Sequence, residues 1–165
     1  MKKFLLLSLM VLMNSSYSEE LNDTIFISNN EALELPLPLP YKRIEVSEEE
    51  LKAFVASAKE KQAVIIFGAN WCPDCRILAG TLKLPSVKKF MQRNYSILHI
   101  DLGKYDINMA LLESLGIPKQ EGVPRVVIFD NKGKPFNLDT NDRRRTARDS
   151  KQQEIFNYFQ KYALN

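Results

Sequence analysis

The sequence predicts an α/β domain with a central mixed β-sheet flanked by helices. Three observations carry this expectation. Residues 63–67 (AVIIF) and 95–102 (YSILHIDL) are short apolar runs of the kind that strands buried on both faces require. Segments with helical periodicity precede, separate and follow them. A turn sequence, Asp130-Asn131-Lys132-Gly133, comes directly after a third short strand at 126–129. The first two strands, joined through helices, are expected to run parallel, and the hairpin comes late.

Each element has a local signal. Ser47-Glu48-Glu49-Glu50 is a capping box, and Leu51, Phe54, Val55 and Ala58 share one face behind it. After the strand at 63–67 a turn holds both cysteines, and a helix runs on to about Leu82. Residues 85–92 read as a further helical turn or two. Asp106 can N-cap a helix that ends at Leu115, with Gly116 at its C′ position. Gly133 supplies the positive φ of the hairpin, and residues 134–138 are expected to return as a fourth strand. The last helix is expected from about Ser150, with Gln153 completing its cap and Ile155, Phe156, Phe159 and Tyr162 facing inward.

The chain has 165 residues, 45% of them hydrophobic and 26% charged, a balance that suits one globular domain plus a short remainder. Its formal net charge is +3, and Lys2 and Lys3 supply two of those charges. A near-neutral domain is not built to bind nucleic acid. Two cysteines are too few for a disulfide-stapled scaffold or a four-cysteine zinc site.

The remainder lies at the N-terminus. Lys2 and Lys3 precede the apolar run FLLLSLMVLM at 4–13, which suits a signal-peptide h-region and is too short to span a bilayer. Ser16 and Ser18 suit cleavage before Glu19. Residues 1–18 are therefore expected to be a signal peptide, and the mature chain to be periplasmic, where disulfides persist. Residues 19–40 form an extended leader, with leucine and proline alternating from Leu35 to Pro40. It reads as a stiff tether or a docking segment for a partner, with a possible edge strand at 23–28. The domain itself is expected over 41–165.

The chemistry sits in Gly68-Ala69-Asn70-Trp71-Cys72-Pro73-Asp74-Cys75-Arg76, at a strand-to-helix junction. There Cys72 falls at the N-cap, where free backbone N–H groups and the helix dipole favour a thiolate. Pro73 suits the first helical position. Cys75 lies one turn on, close enough to form a disulfide with Cys72. An exposed attacking thiol and a buried resolving thiol are the minimum for thiol–disulfide exchange. Zinc would need ligands that the chain lacks, since His99 is its single histidine.

Residues 65–75 (IIFGANWCPDC), with Gly122-Val123-Pro124 before a strand, resemble the thioredoxin superfamily, and within it the exported bacterial proteins with a WCPDC site. The resemblance covers about 41–165 and implies a thioredoxin-like fold. It implies that Cys72 is the nucleophile and Cys75 the resolving thiol. It also implies a cis peptide before Pro124, facing the cysteines. Trp71, Pro73, Asp74, Val123 and Pro124 are then expected to bind substrate, with the Val123 backbone pairing to an extended segment. No cofactor is implied. Partners would be protein disulfides or dithiols and a membrane redox protein that recycles the site, and the chain is expected to be a monomer.

Two positions depart from the pattern. Ile66 stands where many relatives carry a buried acid that serves the resolving thiol. Asp74 adds a negative charge beside Cys72, which should raise its pKa and favour a reductase over an oxidase. Competing readings are an oxidase or isomerase, a cytochrome c maturation reductase, and a copper chaperone using Cys72, Cys75 and His99. His99 by itself reads as structural. Arg143, Arg144, Arg145 and Arg148, interspersed with acids, read as a solvated loop. Residues 116–121 are expected to rim the site.

Overall fold

A computed structural model describes residues 24–118 and 122–164. The expected signal peptide at 1–18 lies outside the described residues, as do 119–121 of the expected rim. No helix among the described residues is long and apolar enough to cross a membrane.

Three strands form the sheet: β1 (Gln62–Gly68), β2 (Tyr95–Asp101) and β3 (Arg125–Ile128). β1 lies in the centre, parallel to β2 and antiparallel to β3. All seven β1 residues are buried, as its unbroken apolar run requires. The register sets Ile65 beside Leu98 on one side and Val127 on the other.

Among the described residues five α-helices pack around this sheet: α1 (Glu48–Ser57), α2 (Pro73–Thr81), α3 (Pro85–Asn94), α4 (Met109–Ser114) and α5 (Gln152–Tyr162). The capping box of α1 is present: Glu50 N–H donates to Ser47 Oγ, and Ser47 N–H donates to Glu50 Oε2. α5 buries Ile155, Phe156 and Phe159 as its periodicity predicts. Its cap is displaced by one position, because the Glu154 carboxylate, not Gln153, reaches back to the Lys151 N–H at 3.1 Å.

Three expectations are corrected. α4 starts at Met109 and not beside Asp106. Asp106 is drawn off by Arg43, whose Nη2 it meets at 2.7 Å, and by the Lys104 N–H at 2.9 Å. Asn108 stands before α4 instead and ties it to the chain ahead of α1. Its side chain accepts from Val46 N–H and donates to the carbonyls of Ile44 and Asp101.

Residues 134–138 form no fourth strand. Only one isolated bridge forms, between Phe129 and Pro135, and Pro135 has no N–H to continue it. The outer edge of β3 is closed by the Asn137 side chain together with two backbone bonds, Val126 N–H to Asn141 C=O and Phe136 N–H to Ile128 C=O. Asn137 Oδ1 accepts from Ile128 N–H at 2.7 Å, and its Nδ2 donates to Val126 C=O at 2.9 Å. The chain then turns through short 3-10 segments at Leu138–Thr140 and Arg143–Asp149.

The leader is neither a free tether nor an edge strand from residue 24 onward. It is a strap along its own domain. The Ile25 N–H donates to Gln160, and its carbonyl accepts from Gln153 and Gln160, so glutamine side chains of α5 replace a strand partner. Glu31 binds Ser86 at the start of α3, and Arg76 donates to Leu37 C=O at 3.0 Å. Gly80 lets the strap settle on α2, since a Cβ there would lie 3.1 Å from Leu37 and 3.3 Å from Leu33. A cis peptide precedes Pro36. The strap ends at Tyr41, which turns into the core.

Candidate functional site

The cysteine motif lies where β1 ends and α2 begins, as its sequence predicts. Cys72 is the N-cap of α2, and its sulfur accepts the Cys75 N–H at 3.1 Å. Pro73 follows at the first helical position and is exposed. Both cysteines are free thiols and both are buried, Cys72 at 3% exposure and Cys75 at 0%, so the expected exposed attacking thiol is corrected to one that lies just beneath the surface. The peptide between Val123 and Pro124 is cis, and the Cys72 thiol donates to the Val123 carbonyl at 3.6 Å. The structure thus brings Val123 and Pro124 to the cysteine pair across the sheet.

The two thiols are tuned apart. The Cys72 pKa is lowered, first by its hydrogen bond with the Cys75 side chain and then, against desolvation, by the Cys75 backbone N–H. The Cys75 pKa is raised, first by burial and then by its hydrogen bond with Cys72. The thiolate is thus favoured at Cys72 and disfavoured at Cys75.

Trp71 is 51% exposed and forms an apolar face next to Cys72. Its indole N–H is anchored to the Gly103 carbonyl at 2.6 Å, and its ring meets the edge of Tyr105. Asp74 does not join that surface and is corrected here. It points inward, 2% exposed, and is held by Arg148 through the backbone N–H at 2.8 Å and Nη2 at 2.7 Å. A carboxylate two residues after an N-cap would be solvated unless a cation met it, and the 143–149 segment brings that cation.

Asp74 acts on Cys72 in the direction its charge dictates, raising the pKa, but the hydrogen bonds to the sulfur outweigh it. Asp74→Asn should therefore make Cys72 more acidic still. With the thiolate present at lower pH, alkylation by iodoacetamide near neutral pH should speed up roughly two- to threefold. Stability should fall by only about 1 kcal/mol, since the guanidinium of Arg148 is half exposed. An unchanged alkylation profile would remove Asp74 from the electrostatics of the site.

The motif also holds residues whose purpose the sequence does not disclose. Asn70 clamps the Tyr41 backbone, accepting its N–H at 3.1 Å and donating to its C=O at 2.8 Å. Gly68 leaves room for the Tyr41 side chain: a Cβ there would collide with the hydroxyl and lie 2.9 Å from Cys75 Sγ. On its other side the Tyr41 ring meets the edge of His99, with centroids 5.4 Å apart. Sequence reasoning missed Tyr41 and Arg148. The asparagine and glycine that serve Tyr41 were the available signal. Burial lowers the His99 pKa to about 4, so the ring is neutral at physiological pH. No set of three metal-ligating side chains forms among the described residues, and His99 does not join the cysteines as the copper reading requires.

A dithiol at a helix N-terminus, with one thiol of lowered pKa beside a cis-proline loop and a second of raised pKa behind it, defines a thiol–disulfide exchange site. The comparisons agree with that class. The profile of the thioredoxin-like family matches residues 47–131, and the chain belongs to this family. It is similar to the disulphide isomerase of Xylella fastidiosa Temecula1, at 31% identity and a TM-score of 0.68, over 76% of this chain and 97% of that one. A thioredoxin mutant from Halobacterium salinarum NRC-1 matches at 19% identity and a TM-score of 0.48, over 76% of this chain and 90% of that one. No curated protein sequence matches the chain.

Proposed function

We propose that this thiol–disulfide oxidoreductase is exported and reduces disulfides in protein substrates. Cys72 attacks a substrate disulfide and forms a mixed disulfide. Cys75 then attacks Cys72 Sγ, releasing the second substrate thiol and leaving the Cys72–Cys75 disulfide. Trp71 and Pro73 present an exposed surface to the substrate, and Val123 with Pro124 lines its path along β3. A membrane-bound donor returns the site to the dithiol. The observation that carries this reading is the asymmetry of the two sulfurs: Cys72 accepts the Cys75 N–H at the N-terminus of α2 and has a lowered pKa, whereas burial raises that of Cys75. Export rests on the basic residues and apolar run at 2–13.

The direction is tested by the equilibrium reduction potential of the Cys72–Cys75 pair in glutathione or dithiothreitol buffers. A value at or below about −220 mV supports a reductase. A value of about −120 to −180 mV overturns it in favour of an oxidase or isomerase. Similarity to a disulphide isomerase at 31% identity favours isomerisation as the second reading. It would use the same first step, with Cys75 serving only to release trapped substrate, and recovery of activity from scrambled ribonuclease would distinguish it.

A further inference from the structure

We propose that Tyr41 is a further catalytic residue of this site, its buried hydroxyl donating a hydrogen bond to the Cys75 thiolate as that sulfur resolves the mixed disulfide. The proposal rests on the reading of Cys72 as attacking and Cys75 as resolving thiol.

Several observations converge on it. Tyr41 is 4% exposed, and its hydroxyl is a buried polar atom without a hydrogen-bond partner of ordinary geometry. A phenol left so in a core requires an explanation. The sulfur of Cys75 lies beside it, in the space kept open by Gly68. The placement is built: Asn70 grips the Tyr41 backbone from both sides, and His99 meets the ring edge-on.

The titratable groups around the hydroxyl are Cys72 and Cys75 of α2 and Asp101 and His99 of β2. Burial first, and then the charges of Cys75, Cys72 and Asp101, raise the Tyr41 pKa well above its usual value. The phenol therefore keeps its proton and remains a donor. Donation from that hydroxyl favours the thiolate form of Cys75, which burial otherwise suppresses.

In the resolving step Cys75 gives its proton to water and attacks Cys72 Sγ. The Cys72–Cys75 bond forms as the Cys72–substrate bond breaks. The substrate sulfur leaves as a thiolate and takes a proton from water. The cysteine pair gives up the two electrons that the substrate disulfide gains, and Tyr41 is unchanged at the end.

The test is stopped-flow reaction of the reduced protein with Ellman's reagent between about pH 6 and 10, on either side of the ordinary thiol pKa. Attack by Cys72 releases the first equivalent of thionitrobenzoate, and resolution by Cys75 releases the second. Tyr41→Phe should leave the first phase within about twofold, slow the second about tenfold or more, and move its pH midpoint upward. A second phase with wild-type rate and midpoint would overturn the proposal. Site-specific 3-fluorotyrosine at position 41 keeps the ring but makes the phenol a stronger donor. It should quicken the second phase and lower its midpoint, a change that loosened packing does not mimic. A wild-type protein that releases only one equivalent overturns the resolving role of Cys75 itself, and this proposal with it.

Discussion

Cys72→Ser is expected to reduce disulfide reduction to the uncatalysed background, a loss of several orders of magnitude. Cys75→Ser is expected to remove turnover while leaving the first step intact. The reason is the geometry at the start of α2. Only Cys72 has its sulfur on the free end of the helix, where the Cys75 N–H stabilises negative charge. Cys75 is fully buried with a raised pKa, so it has neither the access nor the charge to begin the reaction. Cys75→Ser should accumulate a covalent adduct with a disulfide-containing peptide, visible as a mass increase that dithiothreitol reverses. Cys72→Ser should accumulate none. Turnover retained in Cys72→Ser would reverse the assignment of the two sulfurs.

Asn137→Ala is expected to cost about 3–5 kcal/mol of folding stability, from the several buried polar groups it would orphan. Asn137 is fully buried and satisfies Ile128 N–H, Val126 C=O and the Tyr158 hydroxyl. Alanine would leave Ile128 N–H and Val126 C=O unpaired inside the core, while the backbone bonds of Val126 N–H to Asn141 and of Phe136 N–H to Ile128 C=O remain. A domain of this size has only about 5–15 kcal/mol to lose, so the variant should be partly unfolded at physiological temperature. Urea denaturation followed by circular dichroism checks it. A loss below about 1 kcal/mol would mean that water replaces the side chain. Asn137→Asp is the informative companion, since it keeps the acceptor for Ile128 N–H and loses the donors.

Much of the fold was legible because its signals are local. The unbroken apolar run of β1, the capping box at Ser47 and the apolar face of α5 each declare an element within a dozen residues. The cysteine motif was legible for the same reason: N-cap, first-turn proline and the second cysteine one turn later are consecutive. What escaped was set by competition between distant groups. Asp106 has the chemistry of an N-cap, but Arg43, more than sixty residues earlier in the chain, claims it. Residues 134–138 have hairpin signals, but Pro135 stops the ladder and the Asn137 side chain supplies two of its bonds. The leader looked like a tether because prolines cannot join a sheet. Nothing within it reveals that Gln153, Gln160 and Arg76 would bind its backbone.

The sequence by itself determined the α/β class, the central buried strand and the placement of Cys72 and Cys75 at the head of a helix. These follow from backbone preferences and periodicity, which act over a few residues at a time. The tertiary structure decided the electrostatics around the sulfurs. It turned Asp74 inward to Arg148 and away from the substrate surface. It also delivered Tyr41, at the end of the strap, to the side of Cys75. Those outcomes depend on which charges and hydroxyls meet once water is excluded, and burial makes such meetings strong enough to set the reactivity of a thiol.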